Sequence, residues 1–99
     1  MDNKTTLVVT GNPKPNEMDA VQEYLQLVLP LFMRAGGKLV KRLKLDKVIS
    51  GNPSGMALVM DFESAEAVTE LFESDDYAAL IPIRDQGFAE MNILLTNEM

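Results

Sequence analysis

The first third of the chain shows a strand pattern followed by a helix pattern. Residues 5–10 (TTLVVT) are apolar and β-branched, and the turn-forming residues 11–13 (GNP) predict that a strand ends there. Residues 18–32 then place apolar side chains at steps of three and four, which predicts a helix with one buried face. Pro30 should kink this helix, and the glycines at 36–37 should end it.

A basic segment and then an apolar segment form the middle of the chain. Residues 38–50 (KLVKRLKLDKVIS) intersperse lysines among apolar side chains, which predicts a long edge strand because charges hinder pairing with foreign strands. Residues 51–55 (GNPSG) predict a turn that returns the chain antiparallel. Residues 56–62 (MALVMDF) are apolar on both parities up to the aspartate, which predicts a strand covered on both faces.

Serine residues mark two helix starts in the last third of the chain. Ser64 should cap a short amphipathic helix, and Ser74-Asp75 should begin a further helical turn that stops before Pro82. Residues 88–96 (FAEMNILLT) predict the last strand. The resulting β-α-β-β-α-β order, with right-handed crossovers, predicts an α+β fold: a four-stranded antiparallel sheet with both helices on one face.

One face of the predicted sheet has no helix to cover it. Residues 56–60 are apolar on that face as well, and the simplest cover is the same sheet of a second copy. The predicted partner is therefore the protein itself. We expect a homodimer in which residues 1–99 form a single domain.

Composition argues against several function classes. The 99 residues include no cysteine, histidine or tryptophan, so the chain lacks a thiolate nucleophile and the usual zinc and haem ligands, and no metal or cofactor is predicted. The net charge of −6 argues against nucleic acid as a partner. No apolar run approaches the roughly 20 residues that span a bilayer, and the amino terminus lacks a signal-peptide core, which favours a cytoplasmic protein without a membrane partner.

The basic residues are unevenly distributed. Six of the nine lie between positions 34 and 47, whereas residues 61–76 hold seven acids and no base. A basic run on an edge strand has two interpretations, protection of the edge from foreign strands and a phosphate-binding face. The first is favoured. A third interpretation, a nucleic-acid-binding module, is disfavoured because no aromatic residues are interleaved with the basic ones.

Several short motifs occur in an order that resembles a known family. They are Tyr24, Pro30, Ala35-Gly36-Gly37-Lys38, Gly51, Asp61-Phe62-Glu63-Ser64-x-Glu66, Ser74-x-x-Tyr77 and Arg84-Asp85. Over about residues 6 to 96 the chain resembles the small proteins of the domain of unknown function 1330 family, in the dimeric α/β-barrel superfamily. The resemblance implies that residues 1–99 form a single dimeric α/β-barrel domain, with a ferredoxin-like protomer whose sheet packs against its twin to form a shared barrel. It implies no established reaction.

Related branches of that superfamily include cofactor-free monooxygenases, haem degraders and muconolactone isomerase-like enzymes. Its haem-handling members rely on histidine, which this chain lacks. Many members of its own branch carry a tryptophan after the second strand and an aromatic pair in the second helix, where this chain has Asn52-Pro53 and Leu71-Phe72. A pocket built on those aromatic side chains is therefore not expected here.

Arg84 and Asp85 form the first candidate pair for chemistry. They precede the last strand, where a loop held by rigid elements can face a pocket. Arg84 could bind a carboxylate or phosphate through two hydrogen bonds, and Asp85 is the candidate general base if it is buried. The alternative is a salt bridge that ties this loop to the sheet.

Two further pairs are candidates for contacting a ligand. Tyr24 and Tyr77, the only tyrosines, lie on helices that should cover the same side of the sheet, where their hydroxyls could orient a ligand or simply reach solvent. Glu90 and Asn92 share one parity of the last strand and either face the dimer interior or lie at a solvated edge. The predicted function is binding of a small anionic or aromatic metabolite, with or without catalysis, and the alternative is a non-catalytic dimeric module.

Overall fold

The computed structural model describes residues 5–99, which form a four-stranded antiparallel sheet in the order β2-β3-β1-β4 with helices packed on one face. The strands are β1 (Thr5–Pro13), β2 (Lys38–Lys44), β3 (Met56–Phe62) and β4 (Phe88–Thr96). The helices are α1 (Met18–Arg34), α2 (Ala65–Glu73), α3 (Asp75–Ala78) and α4 (Ile81–Gly87), and residues 15–17 form a 3-10 turn before α1. The predicted α+β class and the antiparallel sheet are confirmed.

The core lies between the helices and one face of the sheet. Alternate residues of β1, among them Leu7 and Val9, point towards the helices and are buried, as the two-residue period of a strand requires. Their neighbours Leu58 and Met60 on β3 are buried on the same face. The helices contribute apolar side chains at the predicted spacing, namely Val21, Tyr24, Val28, Leu31, Phe32, Val68 and Leu71.

Helix α1 runs through Pro30 and ends at the predicted glycines. Gly36 adopts a φ of +93°, and its N–H donates to the carbonyl of Met33, while the N–H of Gly37 donates to the carbonyl of Phe32. These two bonds form a Schellman motif, which satisfies the last carbonyls of the helix. Gly37 also permits close packing, because a Cβ there would lie 2.7 Å from the ring of Phe62.

Strand β1 is longer than predicted. It continues through residues 11–13, which the sequence assigned to a turn, and its register against β4 shifts between Asn12 and Pro13. The shift places Pro13 opposite Phe88 at the end of the ladder. A residue without an N–H is tolerated there because few ladder hydrogen bonds depend on it. The Asn12 Oδ1 accepts a hydrogen bond from the Gly55 N–H at 2.7 Å, which holds the extension against the next turn.

Strand β2 is shorter than the predicted 38–50. It ends at Lys44, which pairs with Met56, the first residue of β3. Residues 46–50 therefore have no strand beside them, and their β pattern alone cannot form a ladder. Within β2 the register shifts between Leu39 and Lys41, and all seven residues are exposed, as expected at an edge.

The segment before β4 also differs from the prediction. Instead of a loop after Pro82, residues 81–87 form α4, with the proline in its first turn. Proline is tolerated there because the first N–H groups of a helix have no partner within the helix. Arg84 and Asp85 consequently lie on a helix, and the Arg84 N–H donates to the carbonyl of Leu80.

The other face of the sheet carries no helix, and we call it the open face. Its centre is an apolar row across three strands, since Val8 lies opposite both Val59 and Leu94. Polar pairs flank this row: the Thr6 hydroxyl donates to Asp61 at 2.7 Å, and the Asn92 amide donates to Thr10 at 3.3 Å. Within residues 5–99, no helix is both long and apolar enough to cross a membrane.

The predicted cap of α2 gives a first test of the fold. The Ser64 Oγ accepts a hydrogen bond from the Ala67 N–H at 3.2 Å, so Ser64→Ala should lower the free energy of unfolding by about 1 kcal/mol. Urea denaturation measures the loss as a lower midpoint at an unchanged slope. Ser50→Ala, in the exposed segment after β2, is the control and should change little. Equal midpoints for both variants would contradict the assigned cap.

Candidate functional site

Four of the predicted ligand residues meet at one place in the structure. Tyr24 on α1 and Tyr77 on α3 are each only 2% exposed, and their hydroxyl oxygens are 2.9 Å apart. Arg84 and Asp85 on α4 lie beside them. The side chains of Tyr24, Tyr77, Arg84 and Asp85 are called here the tyrosine–arginine cluster.

Packing and capping fix the two tyrosine rings. The Ser74 Oγ accepts a hydrogen bond from the Tyr77 N–H at 3.2 Å and donates to the carbonyl of Leu71, so the cap that starts α3 also sets the position of Tyr77. The ring of Tyr77 lies edge-on to Phe72 at 4.7 Å between centroids, and that of Tyr24 lies edge-on to Phe88 at 5.7 Å. Both phenols are thus held by aromatic contacts of favourable geometry.

Arg84 is anchored by two neighbours. Its Nη1 donates to the Tyr77 hydroxyl at 3.1 Å and its Nε donates to Asp85 Oδ1 at 3.1 Å. The guanidinium carbon lies 5.9 Å from the centroid of the Tyr77 ring, within the range of a cation–π contact. The Arg84 side chain is 23% exposed, so the group is mostly enclosed but still reaches solvent.

The hydrogen bonds of the cluster run in one direction. Tyr77 accepts from Arg84, and the Tyr24 hydroxyl donates to the Met91 sulfur at 3.8 Å on β4. The one proton of Tyr77 is therefore available for Tyr24, and the order is Arg84 to Tyr77 to Tyr24 to Met91. This series of hydrogen bonds begins at the positive charge of Arg84 and ends at the Met91 sulfur, which is a weak acceptor.

The protonation states in the cluster follow from burial and these bonds. Burial, and then the hydrogen bond with Tyr77, raises the pKa of Tyr24 well above its ordinary value, so this phenol stays protonated in neutral solution. Burial alone would lower the pKa of Arg84, but the bonds to Tyr77 and Asp85 outweigh it and raise that pKa. The arginine is therefore a permanent cation.

Asp85 and its surroundings suit a positioning role. Its side chain is 65% exposed and is paired with Arg84, so the burial on which a general-base role depends is not present. Lys14 was not predicted as part of the site, yet its Nζ lies 3.3 Å from the Asp85 carbonyl oxygen. Lys14 is 71 positions away along the chain, and no sequence spacing indicates this contact.

Glu90 and Asn92 do not join the cluster. They lie opposite Asn12 and Thr10 on the open face of the sheet and are exposed. Met91, between them on β4, points to the helix side and contacts Tyr24. The sequence thus identified the strand but not the residue of that strand that meets the tyrosines.

The grooves on the surface of residues 5–99 include three that are not lined by the tyrosine–arginine cluster. One of about 340 Å³ lies between the end of α1 and α2, one of about 300 Å³ between α1 and β2, and one of about 360 Å³ at the start of α1. Across residues 5–99, no group of three or more acidic side chains is placed to hold a metal ion.

Solved structures with a similar fold include proteins without a known function. One, from Rhodopseudomonas palustris, has a TM-score of 0.83 at 14% identity, with 100% of this chain and 85% of that chain covered. Another, from Bacteroides fragilis, is described as dimeric with a ferredoxin-like fold, and has a TM-score of 0.65 at 10% identity, with 97% of each chain covered. The predicted ferredoxin-like fold is confirmed.

A protein from Bordetella bronchiseptica carries the provisional name antibiotic biosynthesis monooxygenase. It has a TM-score of 0.73 at 19% identity, with 98% of each chain covered. At such identities the likeness concerns the fold alone.

The family comparison covers nearly the whole chain. No curated protein matches the sequence. The model of the family described as domain of unknown function (DUF1330) matches residues 6–99. The predicted resemblance is confirmed, and the chain belongs to the DUF1330 family.

Proposed function

We propose that this protein is a homodimer that binds a small anionic metabolite, with Arg84 as the charge anchor. The observation that carries the proposal is the fixed guanidinium. Tyr77 and Asp85 hold Nη1 and Nε, while no atom of residues 5–99 accepts a hydrogen bond from Nη2. That nitrogen is the donor left for a ligand.

The surroundings of Arg84 favour a carboxylate or phosphate. A guanidinium that is already oriented loses little side-chain entropy on binding, and its planar donors match the oxygens of these anions. Asp85 offsets part of the charge, but the Lys14 ammonium, 3.3 Å from the Asp85 carbonyl oxygen, adds a second cation nearby. The Tyr77 ring lies against the Arg84 guanidinium and shields one side of it from water. The attraction between the guanidinium and a bound anion is stronger where water is excluded.

The homodimer rests on the open face. The apolar row of Val8, Val59 and Leu94 lies on the face without helices, and Leu94 is half exposed in the protomer. A second copy would remove this row from water. The Bacteroides fragilis protein of similar fold is described as dimeric, which supports the same arrangement here.

A second candidate function, a dimeric module without a ligand, is favoured by the complete pairing of the buried polar atoms. Within the described part of the chain, every buried side-chain nitrogen and oxygen has a hydrogen-bond partner. If the cluster serves only structure, replacing Arg84 changes stability and no ligand is lost. The two functions therefore differ in a measurable way.

The test is a thermal-shift screen with small carboxylates and phosphates, followed by calorimetric titration of the compound that stabilises most. Arg84→Ala should weaken its binding about 10- to 150-fold, since one or two charge-assisted hydrogen bonds contribute about 1.5–3 kcal/mol. Arg34→Ala is the matched control, because Arg34 also pairs with an aspartate, Asp76, at a helix end but is mostly exposed. Its affinity should stay within about twofold of wild type.

Two results would count against the proposal. If no carboxylate or phosphate raises the melting temperature, the module without a ligand is the better account. If a compound binds but Arg84→Ala leaves its affinity unchanged, the binding site lies elsewhere.

A further inference from the structure

The groove between α1 and the edge strand β2 combines an apolar floor with a cationic wall. Its volume is about 300 Å³, within the lower range for small-molecule sites. The apolar lining includes Leu25, Leu29, Met56 and Leu58, and the two charged residues are Arg42 and Lys44. No aromatic residue is among those that line it.

The groove exists because α1 leaves the edge strand uncovered. Leu58 on β3 is buried and forms the floor, and Leu25 and Leu29 of α1 pack against the same core from one side. On the other side every residue of β2 is exposed. The sheet therefore extends beyond the helix layer and leaves a trough along its edge.

The ladder register places the two cations over this trough. Arg42 lies opposite Leu58 and Lys44 opposite Met56, so both belong to the helix-side face of the sheet. Lys38 and Lys41 lie opposite Asp61 and Val59, which belong to the open face. The basic strand thus divides its charges between two faces, and only one pair adjoins the groove.

Neither Arg42 nor Lys44 forms an ion pair within residues 5–99, whereas Arg34 and Arg84 do. The chain as a whole carries a net charge of −6, whereas the wall of this trough carries the positive charges of Arg42 and Lys44. Aliphatic side chains with a cationic edge complement a molecule with an aliphatic body and one anionic end.

We propose that this groove binds a medium-chain aliphatic carboxylate. The aliphatic part of the ligand lies along Leu25, Leu29 and Leu58. Its carboxylate accepts hydrogen bonds from Arg42, and Lys44 is a second cation near it. An aliphatic body is favoured over an aromatic one because the lining offers no ring for stacking. The site is separate from the tyrosine–arginine cluster, so it stands whether or not Arg84 binds an anion.

Octanoate is the probe, titrated into the full chain by calorimetry and by NMR of the leucine methyl groups. We expect saturable binding with shifts at Leu25 and Leu29, and a loss of at least about tenfold in affinity in the double variant Arg42→Gln/Lys44→Gln. The control is Lys38→Gln/Lys41→Gln, which makes the same charge change on the same strand but on the open face. Its affinity should remain within about twofold of wild type.

Three outcomes would overturn the inference. One is the absence of methyl shifts at Leu25 and Leu29 at millimolar octanoate. Another is equal weakening in the two double variants, which would mean that only the net charge matters. The third is loss of octanoate binding in Arg84→Ala, which would place the carboxylate at the tyrosine–arginine cluster and leave the groove without a ligand.

Discussion

Replacing Phe62 with alanine should remove about 3–5 kcal/mol of folding free energy, as is usual for a fully buried phenylalanine. The side chain is 1% exposed at the end of β3, and its ring lies edge-on to Phe32 at 6.4 Å between centroids. It also packs against the backbone at Gly37, where no side chain can move in to fill the space. A domain of ordinary stability, about 5–15 kcal/mol, would lose a large share of it.

Denaturation in urea measures this loss from the shift of the midpoint. Phe72→Ala is the matched control, because Phe72 also contacts Phe32 but is only partly buried, so its replacement should have a smaller effect. A loss for Phe62→Ala no larger than that for Phe72→Ala would contradict the assigned centre of the core.

Replacing Leu94 with aspartate should convert the proposed homodimer into a monomer. Leu94 is 49% exposed in the protomer, so the change does little to the fold itself. In the dimer it would bury two unpaired carboxylates against the apolar row of the open face, at a cost of several kcal/mol. A cost of about 4 kcal/mol raises the dissociation constant roughly a thousandfold.

Sedimentation velocity at micromolar concentration measures the effect, with circular dichroism to show that the fold is kept. The control is Leu95→Asp: Leu95 is 47% exposed but lies opposite Leu7, on the helix side of the sheet. It should leave the dimer intact. A monomeric wild type, or a dimeric Leu94→Asp variant, would refute the proposed interface.

The sequence predicted best those elements whose signals are local. The Ser64 cap, the glycines after α1, and the strand 88–96 are all found where the pattern places them. The predicted strand 38–50 is longer than β2, which ends at Lys44. A β pattern forms a strand only where a neighbouring strand is available, and Lys44 already pairs with Met56, the first residue of β3. The sequence does not predict α4, because a proline after a helical turn is typical of a helix end, whereas Pro82 lies in the first turn of a new helix.

The sequence indicates candidate residues for the site, but it does not indicate the hydrogen bonds between them. Tyr24 and Tyr77 are candidates as the only tyrosines, and Arg84 is a candidate because it precedes the last strand beside an acid; the structure brings the three together. The order of the hydrogen bonds, and the contributions of Lys14 and Met91, depend on tertiary contacts that no spacing reveals. Glu90 and Asn92 were grouped with them by polarity, yet they occupy the other face of the sheet.

The strand order has a consequence for how the protein is made. Strand β1 occupies the interior of the sheet, and one of its neighbours is β4, so the Thr5 hydroxyl donates to a carbonyl 91 positions later, at Thr96. Pairings between such distant segments carry a large loop-closure cost and slow folding. During synthesis β1 therefore keeps one edge unpaired until β4 has emerged, and this transient edge is where nascent chains are most exposed to aggregation.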